Sequence, residues 1–176
     1  TEYGGRLWEL WDKEHGKNLL YTNDVLRFSN LAIRNAWFSG GVEWNLGIIG
    51  HNPLTTDPLY VAQTQTDEGD PVLRMYEYER IRGVIWQMDF WLEEKCPYLN
   101  CRMRIVNDSD QVIPMYWWSN MAVPEYEGGR LVVPAQEAFT AVGTNGFKVE
   151  IPFVNGIDVT DYKKIPTSID YFFHIP

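Results

Sequence analysis

The chain has 176 residues, a net charge of −9, and 8 tryptophans, 10 tyrosines and 8 phenylalanines. The length suits one domain or a large part of one. The acidity argues against a phosphate-backbone partner, and no apolar run reaches membrane-span length. So many aromatics first mean a β-sheet core, because aromatic side chains favour strands. They also suit sugar binding, where ring faces meet C–H faces and polar neighbours fix the hydroxyls.

In chain order, Gly4 and Gly5 lead into a predicted strand over 6–11, a polar turn at 12–17 and a return strand over 18–21. The run 23–37 lacks a sustained helical period, although its spacing around Leu26 would carry a short helix. Ser39-Gly-Gly-Val-Glu-Trp-Asn-Leu-Gly47 is punctuated by glycine and reads as a close-packed loop. Residues 51–58, with two prolines, read as another loop. From Leu59 the chain is rich in strands, with 59–66 and 72–79 separated by a turn at 67–71. A long strand over 81–92 places Val84, Trp86, Met88, Phe90 and Leu92 on one face. After a turn at 93–98, the run 99–107 directs Leu99, Cys101, Met103 and Ile105 inward. A turn at 107–110 precedes a strand over 112–123, and shorter strands are predicted near 130–133, 148–151 and 172–176.

This spacing is that of an antiparallel sandwich, so the expected fold class is all-β, with residues 1–176 forming one domain. The apolar character of both ends predicts a piece of a longer domain, with no signal peptide. Cut sheet edges pair readily with other strands, so a homodimer through exposed edges is expected. Cys96 and Cys101 make no disulfide framework and have no histidine at zinc spacing. Buried or partly buried thiols in a cytoplasmic protein, with no metal or other cofactor, are expected.

The candidate functional residues begin with the run Met115-Tyr-Trp-Trp-Ser-Asn-Met-Ala-Val-Pro-Glu125. Neighbouring side chains on a strand point to opposite faces, so Trp117 and Trp118 cannot enter one core. Either the strand is covered on both sides or one indole is offered to a ligand. Glu43, just after Gly40-Gly41, and Glu125, at the end of the Trp-Trp strand, are the candidate catalytic carboxylates. Glycoside hydrolysis needs one acid and one base or nucleophile, and a solvated surface carboxylate is the alternative for each. His51 has the intrinsic pKa of a general acid or base, or equally serves to fix its own loop. His15, in a polar turn, is expected to be exposed. Arg34, Arg80 and Arg82 are the cations of interest. On a strand Arg80 and Arg82 would share a face, paired with Glu77 and Glu79 or gripping sugar hydroxyls or a carboxylate. No serine-hydrolase elbow, nucleotide loop or dinucleotide fingerprint is present.

The strings Gly5-Arg-Leu-Trp8, Ser39 to Asn45, Arg80-Ile-Arg-Gly83, Met115 to Asn120 and Ala122-Val-Pro-Glu125 resemble a bacterial family of unknown function. Its members are similar to galactose mutarotase (aldose 1-epimerase), and its domain is often followed by tetratricopeptide repeats. The resemblance runs over most of residues 4–140. It implies a mutarotase-like supersandwich, two large antiparallel sheets with a carbohydrate cleft on a concave face. In mutarotases the ring-opening acid is a histidine directly after an asparagine, whereas Asn120 is followed by Met121. Gly41-Val42-Glu43 stands in the region of the sugar-binding His-Gly motif, and the general base of that family would lie beyond Pro176. Mutarotation is therefore disfavoured.

Three functions remain open. One is carbohydrate binding, with Trp44, Asn45, His51, Arg82, Trp117, Trp118 and Asn120 as binding residues beside Glu43. Another is a glycoside-processing enzyme, a hydrolase or epimerase using Glu43 with a second carboxylate. The last is a non-catalytic scaffold for attached helical repeats. Nucleic acid and membrane are not expected as partners.

Overall fold

A computed structural model describes residues 1–28, 37–47, 50–142, 145–168 and 170–174. Arg34, most of the ambiguous run 23–37, Ile48, Ile49 and the last two residues of the predicted terminal strand lie outside the described residues. Among the described residues there is no α-helix, and every strand pairing is antiparallel. The chain divides into two compact units, Thr1–Pro124 and Glu125–Pro176.

The first unit holds β1 (Trp11–Asp12), β2 (Lys17–Asn18), β3 (Val42–Leu46), β4 (Tyr60–Gln65), β5 (Pro71–Glu79), β6 (Val84–Trp91), β7 (Asn100–Val106) and β8 (Trp117–Met121). Strands β4, β5, β6 and β7 form a meander in sequence order, and β3 pairs with β8. Period-two alternation decides which face is buried. On β6, Val84, Trp86, Met88 and Phe90 all face the core, and Trp86 is wholly inaccessible. They pack with Met75 of β5 against Val42, Trp44 and Leu46 of β3. The result is a β-sandwich, the four-stranded sheet on one side and the β3–β8 ladder on the other. Each of these large apolar side chains contributes roughly 1.5–3 kcal/mol on burial.

Several local expectations change. The glycine-punctuated segment 39–47 is not a loop throughout but contains strand β3, Val42–Leu46, all five residues of which are buried. Its glycines flank the strand and admit close neighbours: a Cβ on Gly41 would stand 2.4 Å from the Leu7 carbonyl oxygen, and φ there is +64°. Residues 80–83 form a turn, not a strand. The buried Glu79 carboxylate accepts the backbone N–H of Ile81 at 2.7 Å and of Arg82 at 2.6 Å, so Arg80 and Arg82 share no strand face. Cys101 lies opposite the core-facing Phe90, on the face of Met103 and Ile105, but is exposed, as is Leu92, and Cys96 is half-buried. The strand predicted over 112–123 is confined to β8. His15 is exposed, as its polar turn implies, and pairs with Asp12 at 2.7 Å.

The second unit contains β9 (Glu137–Val142), β10 (Asn145–Glu150), β11 (Phe153–Val154), β12 (Ile157–Asp158) and β13 (Phe172–His174). Its sheet has the order β10-β9-β13, beside a β11–β12 hairpin. The strand predicted near 130–133 does not form. Arg130 instead bonds Thr160 and Asp158, and the Leu131 N–H donates to the Thr160 carbonyl at 2.8 Å.

Candidate functional site: a carboxylate-anchored histidine between two indoles

The β3–β8 register aligns Glu43 with Asn120, Trp44 with Ser119, Asn45 with Trp118 and Leu46 with Trp117. Alternation then separates the two tryptophans. Trp117 lies over Trp44, with centroids 6.3 Å apart and ring planes 6° from parallel, against the core. Trp118 projects from the other side, on the face that carries Glu43.

Glu43 is 2% exposed, and a buried carboxylate has to be compensated. Its oxygens accept from Trp37 Nε1 at 3.1 Å, Thr55 Oγ1 at 3.2 Å and His51 Nδ1 at 2.9 Å. The Arg6 guanidinium adds its charge at 3.7 Å. Arg6 is itself fixed by donating to the Gly40 carbonyl at 2.8 Å and to Thr55 Oγ1 at 3.0 Å, with its guanidinium carbon 3.9 Å from the Phe38 ring centroid. Burial pulls the Arg6 pKa below its ordinary value, and the Glu43 charge works against that shift.

The loop carrying His51 is held from below. Asn45 Oδ1 accepts the Asn52 N–H at 2.7 Å, and the Asn52 side chain bridges the Trp44 carbonyl (3.3 Å) and the Leu54 N–H (2.9 Å). Trp118 Nε1 donates to the Gly50 carbonyl at 3.2 Å, and the Gly50 N–H donates to Tyr116 Oη at 3.3 Å. The imidazole sits 5.3 Å from the Trp37 ring and 5.3 Å from the Trp118 ring.

An ionised carboxylate only accepts hydrogen bonds, so Nδ1 of His51 carries the proton it donates to Glu43. In the neutral ring this leaves a lone pair on Nε2. Among the described residues Nε2 has no hydrogen-bond partner, and the His51 side chain is 18% exposed. Chemically, the cluster presents one oriented imidazole nitrogen flanked by indoles, over a carboxylate that is closed to outside groups.

The residues singled out from sequence therefore part company. Glu43, His51 and Trp118 come together. Trp44, Trp117 and Asn45 support the scaffold from inside, and Trp44 Nε1 is committed to the Gly5 carbonyl at 3.0 Å. Asn120 is opposite Glu43 in the ladder and exposed. Arg82 donates from Nε to the Gly47 carbonyl at 2.7 Å, tying the β5–β6 turn to the end of β3. Glu125 is exposed and falls in the second unit. Sequence reading missed Arg6, Trp37 and Thr55. The nearest signal was Gly5-Arg-Leu-Trp8, in which Arg6 stands among residues that carry the family resemblance. Among the described residues no three His, Cys, Asp or Glu side chains gather as metal ligands.

Fold and cluster together define an antiparallel β-sandwich domain built around a buried Arg–Glu–His arrangement. The chain belongs to the family described as a domain of unknown function (DUF5107), which matches residues 1–175. Among solved structures it is similar to a TPR-domain containing protein from Parabacteroides distasonis ATCC 8503, at 24% identity and a TM-score of 0.76. That similarity covers 89% of this chain and 27% of the other, and it is a likeness of fold. No helix among the described residues is long and apolar enough to cross a membrane.

Proposed function

We propose that this chain is a carbohydrate-binding β-sandwich of mutarotase-like type, and that the sugar meets it at His51. The observation that carries the reading is the imidazole anchored by Glu43 between Trp37 and Trp118, with Nε2 unpartnered among the described residues. A sugar ring offers hydroxyls to a fixed nitrogen and C–H faces to flanking aromatics. Resemblance to relatives of galactose mutarotase supports a sugar over other polar ligands, and two unpaired cysteines support a cytoplasmic setting.

Saturation-transfer NMR with a panel of mono- and oligosaccharides tests it. Trp118→Ala and His51→Gln are expected to abolish transfer at protein concentrations where the parent chain shows it. Full transfer in both variants overturns the site, and no transfer from any sugar overturns the function.

Glycoside processing is a second reading, favoured by the Glu43–His51 pair itself. Glu43 is already engaged by Trp37, His51, Thr55 and Arg6, so in this reading it positions the imidazole, and Nε2 of His51 moves the proton. New or exchanging anomeric signals that disappear in His51→Gln would identify an enzyme. Transfer without them identifies a binding module.

A further inference from the structure

We infer a second ligand site, on the face of the β4–β7 sheet turned away from the core, that takes a carboxylate-bearing sugar of the uronic acid type. It uses none of the residues around His51 and stands independently of that cluster.

Alternation along β5, β6 and β7 brings Arg74, Asp89, Trp91, Arg102 and Arg104 to this outer face, opposite to Trp86 and Met88. They line a cavity of about 700 Å³, within the roughly 300–1,000 Å³ of ligand sites. Its floor is preset. Arg74 donates from Nε and Nη2 to the two Asp89 oxygens at 2.7 and 2.8 Å, and Gln87 Nε2 donates to Asp89 Oδ2 at 2.9 Å. This pair is charge-neutral and rigid, with fork-to-fork geometry.

Beside the floor, Trp91 Nε1 donates to Glu93 Oε1 at 3.2 Å, which sets the indole plane. The Arg102 guanidinium carbon lies 5.1 Å from the Trp91 ring centroid. Stacking engages the faces of a guanidinium and leaves its in-plane N–H groups free for a carboxylate. Arg104 follows two residues later on the same face. Arg102 stands across from Asp89 and adds its charge to that carboxylate, which Arg74 and Gln87 already engage by hydrogen bonds. Charged residues on an edge strand also discourage strand pairing, but that role requires neither the stack nor the cavity.

The β4–β5 turn supplies the opposite wall with Asp67, Glu68 and Asp70. These carboxylates accept hydrogen bonds from hydroxyls and repel a second anion. A doubly charged phosphate is repelled more than a singly charged carboxylate. The cavity thus asks for a ligand with one carboxylate at one end and hydroxyl donors at the other, which is the chemistry of a uronic acid.

The test is calorimetric titration of the chain with galacturonate, which carries a single carboxylate, with neutral galactose and with inorganic phosphate, at low salt and at about 0.3 M salt. Arg102→Gln, Arg104→Gln and Trp118→Ala are the variants, with circular dichroism to verify folding; the two arginines are exposed. The expected result is salt-sensitive galacturonate binding that is weakened about tenfold or more in either arginine variant and is still measurable in Trp118→Ala, where the His51 cluster no longer contributes. In Trp118→Ala, equal affinity for galactose, or tighter binding of phosphate, overturns the carboxylate assignment. No uronate binding, or binding insensitive to both arginines, overturns the site. Binding lost only in Trp118→Ala would overturn this site while leaving the His51 reading intact.

Discussion

Glu43 shows how one side chain can be buried, charged and structural at once. Replacing it by alanine strands the Arg6 guanidinium, which is 5% exposed, together with the donors of Trp37, His51 and Thr55. Breaking a buried ion pair from one side costs about 3–5 kcal/mol, so Glu43→Ala should lose that much in urea unfolding. A loss below 1 kcal/mol would mean that the cluster relaxes to water. Asp89 offers a residue-scale pH test. Burial alone would raise its carboxyl pKa, but the hydrogen bonds and charge of Arg74, the Gln87 bond and the Arg102 charge outweigh burial and hold it below the ordinary value. Between the two values the unfolded chain binds more protons, so this contribution to stability is complete above the unfolded pKa of about 3.9. It is lost as pH falls through the lower folded value. Asp89→Asn should cost about 1–2 kcal/mol at pH 7, allowing for solvent at the one-third-exposed Arg74. It should also flatten the fall in stability below about pH 4. An unchanged slope in urea titrations from pH 5 to pH 2 would remove Asp89 as its source.

At the scale of elements, the β3–β8 ladder is buried on one side against the sandwich core and covered on the other by the His51 loop. This gives its two tryptophans different consequences. Trp117→Ala removes the partner of Trp44 in the core and is expected to cost about 3 kcal/mol, visible as a lower melting temperature. Trp118→Ala should cost less stability and act mainly on the proposed sugar binding. The glycines that flank β3 matter for a related reason. Gly41→Ala has to relieve a 2.4 Å approach to the Leu7 carbonyl at a positive φ, and backbone strain of this kind costs of order 1–3 kcal/mol. A melting temperature equal to that of the parent would show that Leu7 can move aside at no cost.

At the scale of the molecule, the four-stranded sheet formed by the described residues ends in β4 and β7. On β7, Arg102 and Arg104 guard the edge, whereas β4 exposes Tyr60 at 62% and Val61 at 44%. Unprotected edges pair with other strands, so the isolated chain is expected to dimerise through β4. Light scattering should give a dimer mass that Val61→Lys reduces to the monomer. A monomer mass for the parent chain at all concentrations would sink the idea.

The spacing of strands and turns was sufficient by itself to determine an antiparallel all-β class. The alternation of Val84, Trp86, Met88 and Phe90 determined the buried face of β6; the order of strands β4 to β7 came from the tertiary structure. The same period of two separated Trp117 from Trp118. These are local properties, and side chains two positions apart on a strand report them directly. Only the tertiary structure decided that 42–46 is a strand. Its flanking glycines read as loop signals, and its burial on both faces erases the alternation that marks a half-exposed strand. Only the tertiary structure, too, assembled the site: Arg6 reaches Thr55 across 49 positions, and Trp118 reaches Gly50 across 68. A buried carboxylate needs donors, but nothing in the residues next to it names which ones. Chain closure over those distances selects them.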